Sequence, residues 1–251
     1  MTSFSAELLK LKRSQSWAVV LVLPLVIVAA ATFRTLSSGE PLENGWDTLW
    51  LRTVGFHGLF PMILGVAVLA SLTWRAEHRH GNWNALMTGP TSSLRIVLAK
   101  TLVVGTLAAA MQAVLLAIVV LVGKVAYGLP GMLPAQYVGV SLLVAVGCLP
   151  LAALQSGLSM FMRSFAAPVA VGLVGAGIGV VLLTAGVSAA VFVLPHALAT
   201  RSAQLTTGSF GDAGGPLTAG SISMVVLATT LLTAVVVGLT TVTLDRRDVR
   251  A

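Results

Sequence analysis

Charged residues are scarce in this chain. Asp, Glu, Lys and Arg together make up 9% of its 251 residues, whereas 57% are hydrophobic. Soluble domains carry about 25% charged residues, so this composition excludes an ordinary soluble domain and an intrinsically disordered chain. Cysteine is nearly absent as well. The one thiol, Cys148, cannot form an internal disulfide, which excludes a disulfide-stabilised fold.

The hydrophobic residues form long blocks rather than amphipathic patterns. Six blocks run from 17 to 31, 54 to 74, about 96 to 122, about 137 to 161, 166 to 194 and 221 to 244. Because a helix needs about 20 apolar residues to cross a bilayer, the blocks predict an all-α polytopic membrane protein with six transmembrane helices. Pro24 and Pro150 lie inside blocks and predict kinks, since each removes a backbone hydrogen bond.

The fifth block, residues 166–194, is longer than one perpendicular crossing requires. Gly175 and Gly179 lie four residues apart, a spacing that allows close contact between helices. We expect a span that ends near Gly186, followed by an apolar segment that re-enters the membrane or lies in the outer leaflet. One long tilted helix is the alternative. On the first interpretation, the loop 196–219 is the largest feature on the outer side.

Basic residues are distributed unequally between the two sides of the predicted bundle. Eleven of the fifteen Lys and Arg residues lie on the side of the N-terminus: Lys10, Lys12, Arg13, Arg75, Arg79, Arg95, Lys100, Arg163, Arg246, Arg247 and Arg250. The other four are Arg34, Arg52, Lys124 and Arg201. Cytoplasmic segments carry the excess of basic residues. The bias therefore predicts that both termini are cytoplasmic, which requires an even number of spans.

The segment before the first block is amphipathic. It mixes apolar and charged residues, namely Phe4, Leu8, Leu9 and Leu11 with Glu7, Lys10, Lys12 and Arg13. A helix of this composition lies in the headgroup region with its basic side toward anionic lipid. A secretory signal peptide that is cleaved after Ala29–Ala31 is the alternative. We favour an uncleaved first span, because the basic segment is long and itself amphipathic.

The segment between the second and third blocks, residues 75–95, predicts a short cytoplasmic helix. Gly81 ends the preceding helix, Asn82 is a favourable N-cap, and Gly89–Pro90 terminates the new helix. Its apolar residues share one face, and they are Trp83, Leu86 and Met87. An isolated apolar face is expected to bind a groove on another protein or the membrane surface.

The same segment contains two histidines beside an acid, Glu77, His78 and His80. Residues two apart on a helix point to different faces, and no further His or Cys cluster completes a ligand shell. We therefore expect a solvated loop here rather than a metal site.

Motifs for bond chemistry are absent from the sequence. It contains no P-loop, no H-E-x-x-H and no G-x-S-x-G, so it does not hydrolyse nucleotide by the P-loop route. No Asp or Glu falls within a predicted span, although ion-driven transporters usually place ionisable groups there. His57, near the outer end of the second span, is the best intramembrane candidate for substrate contact or proton relay. A hydrogen bond to a neighbouring helix is the simpler role for it. We predict no catalytic, metal or cofactor-binding residue.

Three features of the sequence resemble the permease subunits of ABC-2-type exporters, most closely the lantibiotic and antimicrobial-peptide immunity and multidrug exporter branch. One is the amphipathic start, Ala6–Trp17. The second is the pattern E-x-x-x-G-x-W-x-x-L-x-x-x-P, seen at Glu77, Gly81, Trp83, Leu86 and Pro90. The third is the entry to the third span, Leu98–Lys100. The resemblance covers the whole chain in layout.

The resemblance implies how such a chain works. The whole chain, 1–251, would be one permease domain with an interfacial elbow helix at 1–16, a six-span bundle at 17–244 and a cytoplasmic tail at 245–251. A separate cytoplasmic ATPase would hold ATP and Mg²⁺, and two permease chains, identical or homologous, would line the pathway in the plasma membrane of a bacterium. By the same resemblance, Asn82–Met87 would be the coupling helix that docks on the ATPase.

The resemblance and the polar residues of the spans leave some alternatives open. Gln112, Gln155 and Ser156 are candidate contacts with a transported hydrophobic or amphipathic compound, with hydrogen bonding between helices as the alternative. A membrane enzyme that modifies lipid would need paired acids for metal or phosphate, which the sequence lacks. A non-catalytic membrane anchor for a cytosolic partner would also suit the loop at 75–95.

Overall fold

The computed structural model describes residues 7, 11, 14–75, 77–78, 83, 90–209 and 214–248, with side chains up to residue 246. This part of the chain contains α-helices and no strand. The helices are α1 (Ser16–Ser38), α2 (Trp46–Trp50), α3 (Pro61–Arg75), α4 (Ser93–Val125), α5 (Ala135–Gly147), α6 (Leu149–Phe161), α7 (Ala166–Thr184), α8 (Pro195–Gln204) and α9 (Ala219–Asp248). A π-helical turn covers Leu51–Gly55, and a 3₁₀ helix covers Ser188–Phe192.

Helices dominate because hydrocarbon offers no hydrogen-bond partner to the backbone, so a spanning segment must satisfy its own N–H and C=O groups. Five helical segments of the described chain are long and apolar enough to cross a membrane: α1, α4, α5 with α6, α7 and α9. Helix α3 is apolar but has 15 residues. The structure confirms a polytopic α-helical membrane protein, whereas the exact number of six spans stays a prediction.

Each end of the helix bundle can be identified by a contact between residues that lie far apart in the sequence. At one end, Lys100 in the second turn of α4 contacts Glu77, which follows α3. At the other end, the Trp46 indole of α2 donates a hydrogen bond of 2.9 Å to the carbonyl of Pro130. The same indole lies against Gly123 near the end of α4, where a Cβ would overlap the ring. We call these the Lys100 end and the Trp46 end.

Helices α4 and α6 form the centre of the bundle. Helix α4 packs against α1, α5, α6 and α9, and α6 packs in addition against α3. Helix α1 lies at the edge: it buries Val20, Pro24 and Val28, which share one face at four-residue spacing. Leu21 and Leu25 on its other faces are exposed. In a bilayer such faces contact lipid or another transmembrane helix.

The prediction of a kink at Pro150 is confirmed as a break between two helices. Helix α5 ends at Gly147 and α6 begins at Leu149, with Cys148 between them. Proline is tolerated in the first turn of a helix, because the backbone N–H groups there have no partner within the helix. Pro24, in contrast, lies inside α1, which continues through it from Ser16 to Ser38.

The fifth hydrophobic block is divided, as expected, rather than forming one tilted helix. Helix α7 ends at Thr184, and Gly186 follows with a φ of 74°, a conformation that glycine adopts without steric cost. The 3₁₀ helix and α8 come next. The expectation of a loop is wrong for the first residues of 196–219, because Pro195–Gln204 form α8 and all ten of its residues are buried. The placement of 196–219 on the outer side stays a prediction. Helix α8 packs against α5, α6, α7 and α9.

Two glycines of α7 let α8 approach its backbone. A Cβ on Gly175 would lie 2.5 Å from the His196 ring, and a Cβ on Gly179 would lie 3.0 Å from the backbone nitrogen of Ala197. The predicted close contact at Gly175 and Gly179 is therefore present, and its partner is α8. The spacing of the glycines predicts a close helix contact but does not indicate which helix makes it.

Replacing Gly175 with alanine is expected to destabilise the chain by about 1–3 kcal/mol, because the new methyl group overlaps the His196 ring. The Gly177→Ala variant is the matched control, since a Cβ there has no neighbour within 4 Å. That control should be neutral or slightly stabilising, by up to about 1 kcal/mol, because alanine favours helix. Thermal unfolding in detergent measures both. Equal midpoints for the two variants would contradict the proximity of α7 and α8.

Candidate functional site

The ammonium group of Lys100 lies between two carboxylates that come from distant parts of the sequence. Its Nζ is 2.6 Å from Oε2 of Glu7 and 2.8 Å from Oε1 of Glu77. It also lies 5.1 Å from the centre of the Trp74 ring, within range of a cation–π interaction. The Lys100 side chain is 1% exposed. We call Glu7, Glu77 and Lys100 the ion cluster.

Burial makes the three members of the ion cluster dependent on one another. A buried ammonium group is costly unless carboxylates or carbonyls satisfy its three donors. Here Glu7 and Glu77 take two of them, and the carbonyl of Thr73 lies 3.5 Å from Nζ. Removing one partner of a buried pair typically costs about 3–5 kcal/mol, because the other charge is left uncompensated. The ion cluster therefore ties the segment before α1 and the segment after α3 to α4.

Aromatic rings anchor the segment that follows α3. The rings of His78 and Trp83 stack with their centres 5.6 Å apart, and the Trp83 ring lies 6.2 Å from that of Trp74. Two of these three side chains, Trp74 and His78, contact α6. The Trp74 indole donates to Oγ of Ser156 at 2.9 Å, and Nε2 of His78 is 2.9 Å from the carbonyl of Ser159. We call Trp74, His78 and Trp83 the aromatic cluster.

The position of Trp83 differs from the expectation of an exposed apolar face. Its side chain is half-buried and packs against a hydrophobic cluster of this chain that includes Ile96, Met160 and Leu244. The indole therefore fastens the segment to its own bundle. A role for Trp83 in binding a partner stays a prediction. In this arrangement the ring would act by holding the neighbouring residues in place rather than by contacting the partner itself.

Several predicted site residues lie outside the residues that the structure describes. In the segment before α1 they are Phe4, Leu8, Leu9, Lys10, Lys12 and Arg13, and in the segment after α3 they are Gly81, Asn82, Leu86 and Met87. Their predicted roles as interfacial helix and coupling helix stay predictions. Pro90 is described and is exposed just before α4.

The three sequence features of the family resemblance meet at one place in the structure. Glu7 belongs to the amphipathic start, Glu77 opens the loop pattern and Lys100 closes the entry to the third span. Sequence reasoning did not pair these residues, because nothing local connects positions that lie 93 and 23 residues apart. A signal was available, however. Glu7 is a single acid among basic residues, and Lys100 is a charge within an apolar helix.

The predicted pathway residues lie within helix–helix contacts. Nε2 of Gln112 is 3.4 Å from Oγ of Ser141, and Nε2 of Gln155 is 3.5 Å from Nε2 of His196. Together with Ser156, which accepts the Trp74 indole N–H, they fit the simpler role of hydrogen bonding between helices. The sequence does not indicate His196 as the partner of Gln155, because nothing local connects residues that lie 41 positions apart.

His57 does not have the hydrogen bond expected of a buried histidine. Its side chain is fully buried directly before the turn that leads into α3. Within the described part of the chain, neither ring nitrogen has a hydrogen-bond partner. Buried polar groups without partners are uncommon, so His57 stays a candidate for a functional role.

Comparison with known families gives an independent finding. Residues 3–179 match the family described as ABC-2 family transporter protein, and this range covers well over half of the chain and includes the ion cluster. Comparisons with curated proteins and with solved structures find no match. The apolar helices agree with a membrane-embedded transporter component. The chain therefore belongs to the ABC-2 family of transporter proteins, as the permease component of an ABC transporter.

Proposed function

We propose that this permease is an exporter subunit that works as one of two such chains, identical or homologous, and is driven by a separate cytoplasmic ATPase. The ATPase would bind ATP and Mg²⁺, and this chain would bind neither. The single observation that carries the proposal is the buried ion cluster. It joins the segment before α1 and the segment after α3 to α4 at one end of the bundle.

The ion cluster and the aromatic cluster suit the transmission of a mechanical movement. The proposed docking element, Asn82–Met87, follows Glu77 and His78 and surrounds Trp83, so an ATPase that moves it also pulls on these three residues. Glu77 acts on α4 through Lys100, and the stacked rings act on α6 through Ser156 and Ser159. Because packed helices shift between discrete arrangements rather than bending continuously, the two central helices would move together.

The proposed location is the plasma membrane of a bacterium, with the Lys100 end in the cytoplasm and the Trp46 end outside. The bias of basic residues toward the Lys100 end supports this orientation. The same proposal divides the chain into an interfacial segment at 1–16, a bundle at 17–244 and a cytoplasmic tail at 245–251. Glu7 would hold the interfacial segment, the elbow helix, against the bundle.

The proposed substrate class is a hydrophobic or amphipathic compound, with an antimicrobial peptide as the leading case. Exposed apolar faces of α1 and α9 support it, since a second chain that packs nearby would enclose an apolar pathway. We assign substrate contact to such faces. Gln112, Gln155 and Ser156 are buried and hydrogen-bonded between helices of one chain, so they lie away from these faces.

Co-purification from membranes tests the proposed function. A tagged chain should retain a companion that binds ATP, and reconstituting the two together should change the rate of ATP hydrolysis relative to the companion alone. The matched control is a Lys124→Met chain, because Lys124 lies on the same helix as Lys100 but at the Trp46 end. This variant should retain both effects.

Two results would contradict the proposal. A purified chain that converts lipid to product without any companion would identify a lipid-modifying enzyme. A companion whose rate of ATP hydrolysis is the same with and without the permease would identify a membrane anchor.

A further inference from the structure

A cavity of about 270 Å³ opens at the Trp46 end, between α1 and the π-helical turn. Its walls differ in polarity along the bundle axis. The apolar lining is formed by Ile27, Ala30, Ala31 and Phe56, and the polar lining is formed by Arg34, Thr35, Ser38, Glu40 and Arg52. This cavity is separate from the ion cluster, which lies at the opposite end of α4.

The sequence of α1 accounts for the shape of the cavity. Ile27, Ala30, Ala31 and Arg34 fall at helical spacing of three and four residues and therefore share one face. The two alanines leave space, because their side chains end at Cβ. Arg34 lies about 10 Å farther along the axis than Ile27, at 1.5 Å per residue. The polarity thus changes from apolar to basic over the distance that separates acyl chains from headgroups in one leaflet.

Charge at the mouth of the cavity favours an anion. The lining contains two arginines, Arg34 and Arg52, and one acid, Glu40. Arg52 is already held, with Nη2 3.2 Å from Glu40 and Nη1 3.3 Å from Oγ1 of Thr35. No ion pair to Arg34 occurs within the described part of the chain. The planar fork of arginine suits phosphate and carboxylate oxygens, to which it can donate two hydrogen bonds.

From this geometry we propose that the cavity binds an anionic amphiphile, with its phosphate or similar head on Arg34 and Arg52 and the start of an alkyl chain along Ala30 and Ala31. The volume limits the ligand. Sites for drug-sized molecules have about 300–1,000 Å³, so 270 Å³ holds a head with a short length of chain and excludes a folded peptide. The rest of the chain would lie against the lipid-facing side of α1.

Binding to the purified permease alone, without an ATPase, tests this site independently of the proposed export function. The probe is dodecyl phosphate, titrated in a neutral detergent and counted by native mass spectrometry. We expect one bound molecule per chain and about tenfold weaker binding in Arg34→Gln, since a hydrogen bond to a charged group is lost. The Ala31→Leu variant should weaken binding similarly, because leucine fills the cavity.

A gain of affinity separates the proposal from loss of folding. The Glu40→Gln variant removes the one carboxylate at the cavity and should tighten binding about threefold, which a misfolded chain cannot do. The Lys124→Gln variant is the control for charge, since it removes a cation of the same end that does not line the cavity, and it should bind as the unchanged chain does.

Competition identifies the source of the ligand. If phosphatidylglycerol displaces dodecyl phosphate, the site holds a bilayer lipid, and if it does not, the site accepts single-chain amphiphiles such as a transported compound. Both results support an anionic amphiphile. Equal affinity in the unchanged chain, Arg34→Gln and Ala31→Leu would overturn the proposal, as would displacement by inorganic phosphate alone at the same concentration.

Discussion

Replacing Lys100 with methionine is expected to remove the stimulation of the partner ATPase and to destabilise the permease by about 3–5 kcal/mol. Methionine fills a similar volume, but it removes the ammonium group that both Glu7 and Glu77 contact in a buried place. A loss of this size corresponds to a fall of roughly 10 °C in the unfolding midpoint. Thermal unfolding in detergent and the rate of ATP hydrolysis in a reconstituted complex measure the two effects.

A charge-neutral triple variant separates stability from coupling. Glu7→Gln, Glu77→Gln and Lys100→Met together leave no buried charge in the ion cluster, so much of the lost stability should return. Stimulation of the ATPase should stay low, because the ionic links among the three segments are gone. Recovery of both stability and stimulation would show that the cluster contributes only to folding. Lys124→Met, on the exposed part of the same helix, should change stability by about 1 kcal/mol or less.

Replacing Trp83 with alanine is expected to weaken ATPase binding and to lower the stability of the permease at the same time. The variant loses the stacking on His78 and the contact with Trp74, and aromatic pairs contribute about 0.5–1.5 kcal/mol each beyond their buried area. Trp83→Phe keeps an aromatic ring and should retain most of both properties. Affinity for the ATPase and the unfolding midpoint of the permease alone are the two measurements.

Leu86→Asp provides the comparison for Trp83. Leu86 is predicted to face the ATPase, so its change should lower affinity for the partner and leave the midpoint of the isolated permease unchanged. If Trp83→Ala behaves like Leu86→Asp, with a normal midpoint, then the Trp83 ring binds the partner directly and the packing argument fails. If both variants bind and stimulate the ATPase normally, the segment is not the docking element.

The ion cluster illustrates how much of the candidate site could be predicted. The sequence singled out the three segments to which Glu7, Glu77 and Lys100 belong, because each is unusual in its own composition. It did not predict that they meet, because a salt bridge depends on distances that the packing of α1, α3 and α4 sets. Trp83 shows the opposite case. Its helical spacing with Leu86 indicated an exposed face, and the indole instead packs on its own bundle, because Trp74 and His78 lie within reach.

The fifth block shows where hydrophobicity alone is ambiguous. Its length and its glycines correctly predicted a span that ends near Gly186. The more polar segment after Pro195 was expected to be a loop, but Pro195–Gln204 form the buried helix α8. Its polar side chains are placed among other helices of the protein, where hydrogen bonds such as that of Gln204 to the carbonyl of Gly55 replace water.

Composition by itself determined that the chain is a helical membrane protein. A chain with 9% charged residues has too few charged side chains to form the surface of a soluble domain. In hydrocarbon, the backbone must satisfy its own hydrogen bonds, which favours helices. Tertiary structure alone decided which polar groups meet, from the ion cluster at one end to the basic cavity at the other. These contacts depend on how the helices are arranged and turned against one another. That arrangement is set by packing between residues that lie far apart in the sequence.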